Sequence, residues 1–267
     1  MIEAPDSDKR PDAHSRTSAA DAAIPATEPP PPGPVIAVRS LSKRYGNVVA
    51  VEDLTFSLER GTVTGVLGPN GAGKSTTLRL LLGLAEPTAG EAHVFGRRYR
   101  DLDDPARRIG AVLESDDFHP GRSGRNHLRV LALAARIPFA RVEQVLEVVE
   151  LTGAGDRRVK TYSLGMRQRL GLAGALLGDP DVLIMDEPAN GLDPAGVHWL
   201  RRFIRRFADR GGTVMISSHV LAEVAQTVDQ VVIIDHGRLL AAARLDEFAG
   251  RGTLEDMYLE LTARQAP

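Results

Sequence analysis

The run Gly68, Pro69, Asn70, Gly71, Ala72, Gly73, Lys74, Ser75 constrains this chain more than any other feature, because of what flanks it. Before it lies the aliphatic stretch Thr62–Leu67, and after it come Leu78, Leu81 and Leu82 at helical spacing. A buried strand must therefore end, the backbone must curl, and a helix must begin within a few residues. Glycines permit the left-handed backbone angles that such a curl needs. Successive N–H groups then point inward and form an anion-binding concavity, to which the new helix adds its positive N-terminal dipole. Lys74 reaches the β- and γ-phosphates of a nucleotide held there, and the Ser75 hydroxyl, followed by Thr76, is placed to ligate Mg²⁺. Lysine is scarce in this chain, 4 residues against 29 arginines, so its presence in the required slot is informative.

Elsewhere, short β-rich runs recur at Val35–Arg39, Leu54–Leu58, Ile109–Leu113, Val182–Met185, Val214–Ser217 and Val231–Asp235. Several are continuous aliphatic runs, as expected of strands buried on both faces. Helical patterns lie between them: Lys74–Leu84, Arg141–Leu151, and a stretch with Val197, Leu200, Ile204 and Phe207 on one stripe. Strands alternating with helices predict an α/β fold with a mainly parallel central sheet. Residues from about 118 to 178 show helical pattern and no strand, which predicts a helical insertion.

Residues 1–34 differ from the rest. They hold 8 of the 17 prolines and only two large aliphatics, Ile2 and Ile24, so they are expected to form a disordered Pro-rich tail. The folded domain is expected over 35–250, with a short tail at 251–267. The chain has no cysteine, which excludes disulfides, thiolate metal ligation and thiol catalysis. No stretch approaches the length of a membrane span, and the charged N-terminus lacks the apolar region of a secretory signal. The formal net charge of -2 and 4% aromatic content give no support to nucleic-acid binding. The arginines at 201, 202, 205, 206 and 210 read as the solvated face of one helix.

The aliphatic strand Val182–Met185 ends in Asp186 and Glu187. In open α/β sheets, ligands sit beyond the carboxyl ends of the strands. Asp186 is thus placed to hold Mg²⁺ facing the phosphate loop, and Glu187, one residue on, to orient and deprotonate an attacking water. Tyr162-Ser-Leu-Gly-Met-Arg-Gln-Arg169 reads as an N-capped helix start from Met166 onward, which is also an anion site.

Together these motifs resemble the ATP-binding subunits of ABC transporters, over about Val35 to Gly250. The octamer 162–169 is similar to the family's signature, with Ser163 and Gly165 at its main positions and Leu164 and Met166 departing from it. The resemblance implies a P-loop NTPase fold of the ABC ATPase type: α/β, a mainly parallel sheet, an N-terminal antiparallel β part and a helical insertion. It implies that Asn190–Pro194 is a dimer-contact turn, that His219 touches the γ-phosphate, and that Tyr45 stacks on adenine. As a bare observation, Tyr45 is equally a core or surface tyrosine. Glu114 stands where the family has a glutamine that contacts Mg²⁺ and water, so a carboxylate takes that place.

The implied activity is ATP hydrolysis with Mg²⁺. In the implied assembly, two cassettes, identical in a homodimer, pair head to tail on an integral membrane permease, at the inner face of the cell membrane. The segment Thr253–Thr262 resembles the ending of subunits that serve ABC-2-type exporters of drugs, antibiotics or polysaccharides. Two alternatives are a soluble ABC-type ATPase without a membrane partner and a non-hydrolysing nucleotide-binding module.

Overall fold

The computed structural model describes residues 33–113, 118–248 and 253–263. Along the chain the elements are β1 (Ile36–Tyr45), β2 (Val48–Leu58), β3 (Val63–Leu67), α1 (Lys74–Leu81), β4 (Ala89–Val94), α2 (Pro105–Arg108) and β5 (Ile109–Val112). Then follow α3 (Gly124–Ala134), α4 (Ala140–Val148), α5 (Leu164–Ala175), β6 (Val182–Met185), α6 (Pro194–Asp209), β7 (Thr213–Ser218), α7 (Leu221–Ala225), β8 (Gln230–Asp235), β9 (Arg238–Arg244) and α8 (Leu254–Ala263).

Two sheets result. The larger has the order β5-β6-β7-β3-β8-β9 and is parallel except for the β8–β9 pair; the smaller is the antiparallel β2-β1-β4. Alternation along the central strands explains the layering. Val63, Leu67, Leu183, Met185, Val214, Ile216, Val231 and Ile233 join a hydrophobic cluster with the helical insertion, α6 and α8. Val66, Val182, Ile184, Met215, Val232 and Ile234 join a second cluster with α1 and the antiparallel sheet. Both faces of the parallel sheet are covered, which is why its strands are uninterrupted aliphatic runs.

Several elements differ from expectation for local reasons. Strands β4 and β9 do not stand out in the sequence: both lie at sheet edges, and the Ala, Gly, Glu and His of β4 have weak strand preference. The helix expected to reach Leu84 stops at Leu81. Gly83 takes φ +65, and the bonds Leu84 N–H to Arg79 O (2.9 Å) and Gly83 N–H to Leu80 O (3.2 Å) close a Schellman motif. The helix expected to reach Leu151 stops in the same way at Val148, with Glu150 in the left-handed position at φ +59 and Leu151 N–H on Leu146 O at 2.8 Å.

The described part of the 118–178 region contains α3, α4 and α5 and, apart from an isolated bridge between Ser123 and Arg158, no extended pairing. The expected Pro-rich tail lies outside the described residues up to residue 32; Val35 is already buried. At the other end, the segment expected as a short tail includes α8, whose Leu254 and Met257 enter the core beside Val224 and Val228. On α6, Arg201 donates to Gln226 Oε1 and Arg205 to Asp229 Oδ1 and Thr227 O, while Arg202, Arg206 and Arg210 are exposed.

Candidate active site

Strand order brings the sequence motifs together. Strand β7 lies between β3 and β6, with Leu67 paired to Ser218 and Met185 to Ile216. The carboxyl ends of β3 and β7 are therefore level, and β6 ends opposite Ile216, just short of them. Beyond β3 runs the phosphate loop, beyond β6 come Asp186 and Glu187, and beyond β7 comes His219.

The loop is anchored by close approach of backbones. Gly68, at φ +154, leaves no room for a side chain, since a Cβ there would lie 2.0 Å from Ile234 O. Gly73, at φ +104, precedes α1, and a Cβ there would lie 2.5 Å from Ala50 O of β2. Pro69, Asn70 and Gly71 form the exposed outer rim, and Ala72 N–H closes the turn on Pro69 O at 3.1 Å. Gly73 as N-cap supplies no side-chain acceptor to the first turn of α1, where Lys74, Ser75 and Thr76 stand. Thr77 instead returns both its N–H and its Oγ to Gly73 O, each at 2.9 Å.

Lys74 is only 5% exposed. Its Nζ donates to Gly68 O at 2.9 Å and Pro69 O at 3.2 Å, and lies 3.1 Å from Glu187 Oε1. Glu187 Oε2 is 2.8 Å from His219 Nδ1. Lysine, glutamate and histidine thus form one continuous polar line across three strand ends. Asp186 N–H extends the sheet by bonding Val112 O at 2.8 Å, and its carboxylate accepts from Ser217 Oγ. The same Ser217 Oγ accepts Glu187 N–H at 2.9 Å. Sequence reasoning passes over Ser217; the available signal is a serine directly after the aliphatic run Val214–Ile216.

The remaining candidates lie apart from this cluster. Ser163 caps α5, accepting Met166 N–H at 3.2 Å, so the helix begins at Leu164 rather than at Met166. Gly165 packs toward Leu192, and among the described residues no hydrogen bond joins Ser163 or Gly165 to the phosphate loop. Asp193 caps α6 through Gly196 N–H at 2.7 Å, with Pro194 at the first helical position. Tyr45 is half exposed at the tip of the β1–β2 hairpin, with Lys43 Nζ 4.8 Å from its ring centre. Glu114 lies outside the described residues.

The donors fit a magnesium nucleotide. A buried ammonium, a glycine-rich curl and a helix start without a side-chain cap suit polyphosphate. A serine hydroxyl and one aspartate suit Mg²⁺, which keeps several waters and takes its other oxygens from substrate phosphates. Among the described residues no group of three or more His, Cys, Asp or Glu could hold a metal by itself, and this arrangement does not require one.

A family profile described as ABC transporter matches residues 51–190. The chain is 41% identical over 229 residues to a bacitracin transport ATP-binding protein of Bacillus licheniformis, covering 85% of this chain and 74% of that one. It is 35% identical over 226 residues to a lantibiotic transport ATP-binding protein of Streptococcus pyogenes, covering 84% and 96%. A solved ATP-binding subunit of an ABC transporter superposes with a TM-score of 0.77 at 31% identity, covering 85% and 99%.

Proposed function

Because the chain belongs to the ABC transporter ATP-binding family, we propose that it is the ATPase subunit of an exporter, driving a separate membrane permease that carries antibiotic-like, small hydrophobic or polysaccharide compounds. The observation that carries this reading is the line from Lys74 through Glu187 to His219 at adjacent strand ends. Relatives named for bacitracin and lantibiotic transport support the substrate class.

In this reading the phosphate loop, from Gly68 to Thr76, wraps the triphosphate with its N–H groups, and Lys74 neutralises the β- and γ-phosphates. Ser75 and Asp186, with Glu114, would hold Mg²⁺, which would supply charge neutralisation to the phosphates. Glu187 takes a proton from the water whose oxygen attacks the γ-phosphorus, and the bond from that phosphorus to the β-phosphate oxygen breaks to leave ADP and inorganic phosphate. His219, fixed by Glu187 at Nδ1, contacts the γ-phosphate. Tyr45 stacks on adenine. Ser163 and Gly165 of a second copy cap the nucleotide, so ATP joins two cassettes and hydrolysis parts them.

Among the described residues no helix is long and apolar enough to cross a membrane. In the proposed assembly the permease is a separate chain, and the cassette sits peripherally on the inner membrane face; the relatives named as transport ATP-binding proteins support this reading. The test is purification of the full chain from its own cells in mild detergent. Co-purification of a multi-spanning membrane protein, with ATPase activity that responds to it, supports the proposal. An ATPase recovered without such a partner overturns the transport part.

A further inference from the structure

Ser217 is the penultimate residue of β7, whose preceding members Val214, Met215 and Ile216 are all buried, and it is itself 0% exposed. A hydroxyl in such a place is costly unless its hydrogen and a lone pair both find partners. Both do. Oγ–H donates to Asp186 Oδ1, and Oγ accepts the N–H of Glu187 at 2.9 Å. One buried hydroxyl therefore holds two successive acidic residues, the first by its side chain and the second by its backbone. Glu187 sits at φ +47, a left-handed conformation uncommon for residues other than glycine. Such a conformation persists where the surroundings over-determine it. Here Ser217 takes the N–H of Glu187, and Asn190 N–H takes its carbonyl at 3.1 Å.

We propose that Ser217 is a positioning residue for ATP hydrolysis, its hydroxyl aiming the Asp186 carboxylate at the metal–nucleotide complex and pinning the Glu187 backbone so that the carboxylate stays in line with Lys74 and His219. The proposal rests on the roles given above to Asp186 and Glu187. Ser217, on the interior strand β7, holds Asp186 by its carboxylate and Glu187 by its backbone N–H, and acts only through these two residues. Alanine at this position is smaller and introduces no clash, but it leaves the Glu187 N–H without its acceptor and lets the Asp186 carboxylate turn.

The test compares the purified full chain with its Ser217→Ala and Glu187→Gln variants. ATP turnover is measured against ATP and Mg²⁺ concentration, and binding of a fluorescent ATP analogue is measured with Mg²⁺ and with EDTA. Loss of one charge-assisted hydrogen bond predicts a fall in kcat of about tenfold in Ser217→Ala, with KM for ATP changed by less than about threefold. The Mg²⁺ concentration for half-maximal turnover rises, and the gain in analogue affinity conferred by Mg²⁺ shrinks, while affinity in EDTA is unchanged. Turnover and Mg²⁺ dependence within about twofold of the parent overturn the proposal. So does an equal loss of affinity in EDTA, which marks general disruption of the loop. Near-normal turnover in Glu187→Gln is a separate result, which refutes the assignment of Glu187 as base rather than the positioning by Ser217.

Discussion

Lys74 Nζ lies 3.1 Å from Glu187 Oε1, so the loop cation and the carboxylate assigned to water activation are ion-paired with each other. At 5% exposure an ammonium needs an anion beside it, and Glu187 is that anion. Nucleotide phosphates bring a second and larger negative charge to Lys74. In the proposed mechanism the lysine is then expected to be shared, freeing Glu187 to face the attacking water. On that reading the ion pair would link arrival of the substrate to readiness of the base.

Replacement Glu187→Gln keeps size and hydrogen bonding but removes the basic carboxylate. Turnover is expected to fall by about two to four orders of magnitude, while MgATP still binds. The protein is expected to accumulate as an ATP-dependent dimer that reverts to monomer with ADP or EDTA, as read by size exclusion with light scattering. A slow variant that stays monomeric would point to a different partner cassette.

Replacement Lys74→Ala removes the buried cation from the loop and leaves the Glu187 carboxylate facing the incoming phosphates. High-affinity ATP binding is expected to be lost, in the presence and absence of Mg²⁺. Calorimetric titration checks this, and unchanged affinity would remove the basis for the phosphate site.

Met257 on α8 is 5% exposed in the core beside α7, the helix that follows His219. Met257→Ala is expected to cost about 2 kcal/mol through the cavity it leaves. In a domain of this size that corresponds to a fall in Tm of roughly 4–8 °C. A change near zero would show that α8 contributes no packing.

Burial and the nearby Arg122 hold the His127 imidazole below its ordinary pKa. Its ring meets Phe118 edge-on at 5.0 Å, and its buried Nδ1 has no hydrogen-bond partner among the described residues. The unfolded chain therefore takes up a proton before the native state does as pH falls. Stability associated with neutral His127 is fully present above about pH 6.5 and declines as pH drops toward the lower native pKa. His127→Gln is expected to flatten the loss of Tm between pH 7.5 and pH 5.5, as read by thermal melts at both values. Parallel profiles would exclude the histidine as the source.

Local chemistry made the phosphate loop legible in the sequence, because strand, glycine curl and helix are contiguous from Thr62 to Leu82. Asp186 and Glu187 were legible for the same reason, at the end of four aliphatic residues. The Lys74–Glu187–His219 line was not, because it depends on β7 lying between β3 and β6, a non-local pairing. The left-handed turn at Glu187 was hidden too, since residue type gives no hint of positive φ there. Edge strands β4 and β9 escaped because only one side of each is paired in its sheet, which leaves little hydrophobic pattern to read. Ser163 was visible as a cap, and it caps α5 through Met166 N–H.

The central sheet keeps two hydrophobic clusters apart, one with the helical insertion and one with α1 and the antiparallel strands. Side chains of the two clusters leave alternate residues of the same strands and point in opposite directions. A substitution in α3 or α4 is therefore buffered from α1 by the sheet, whose backbone both clusters share but whose side chains they do not.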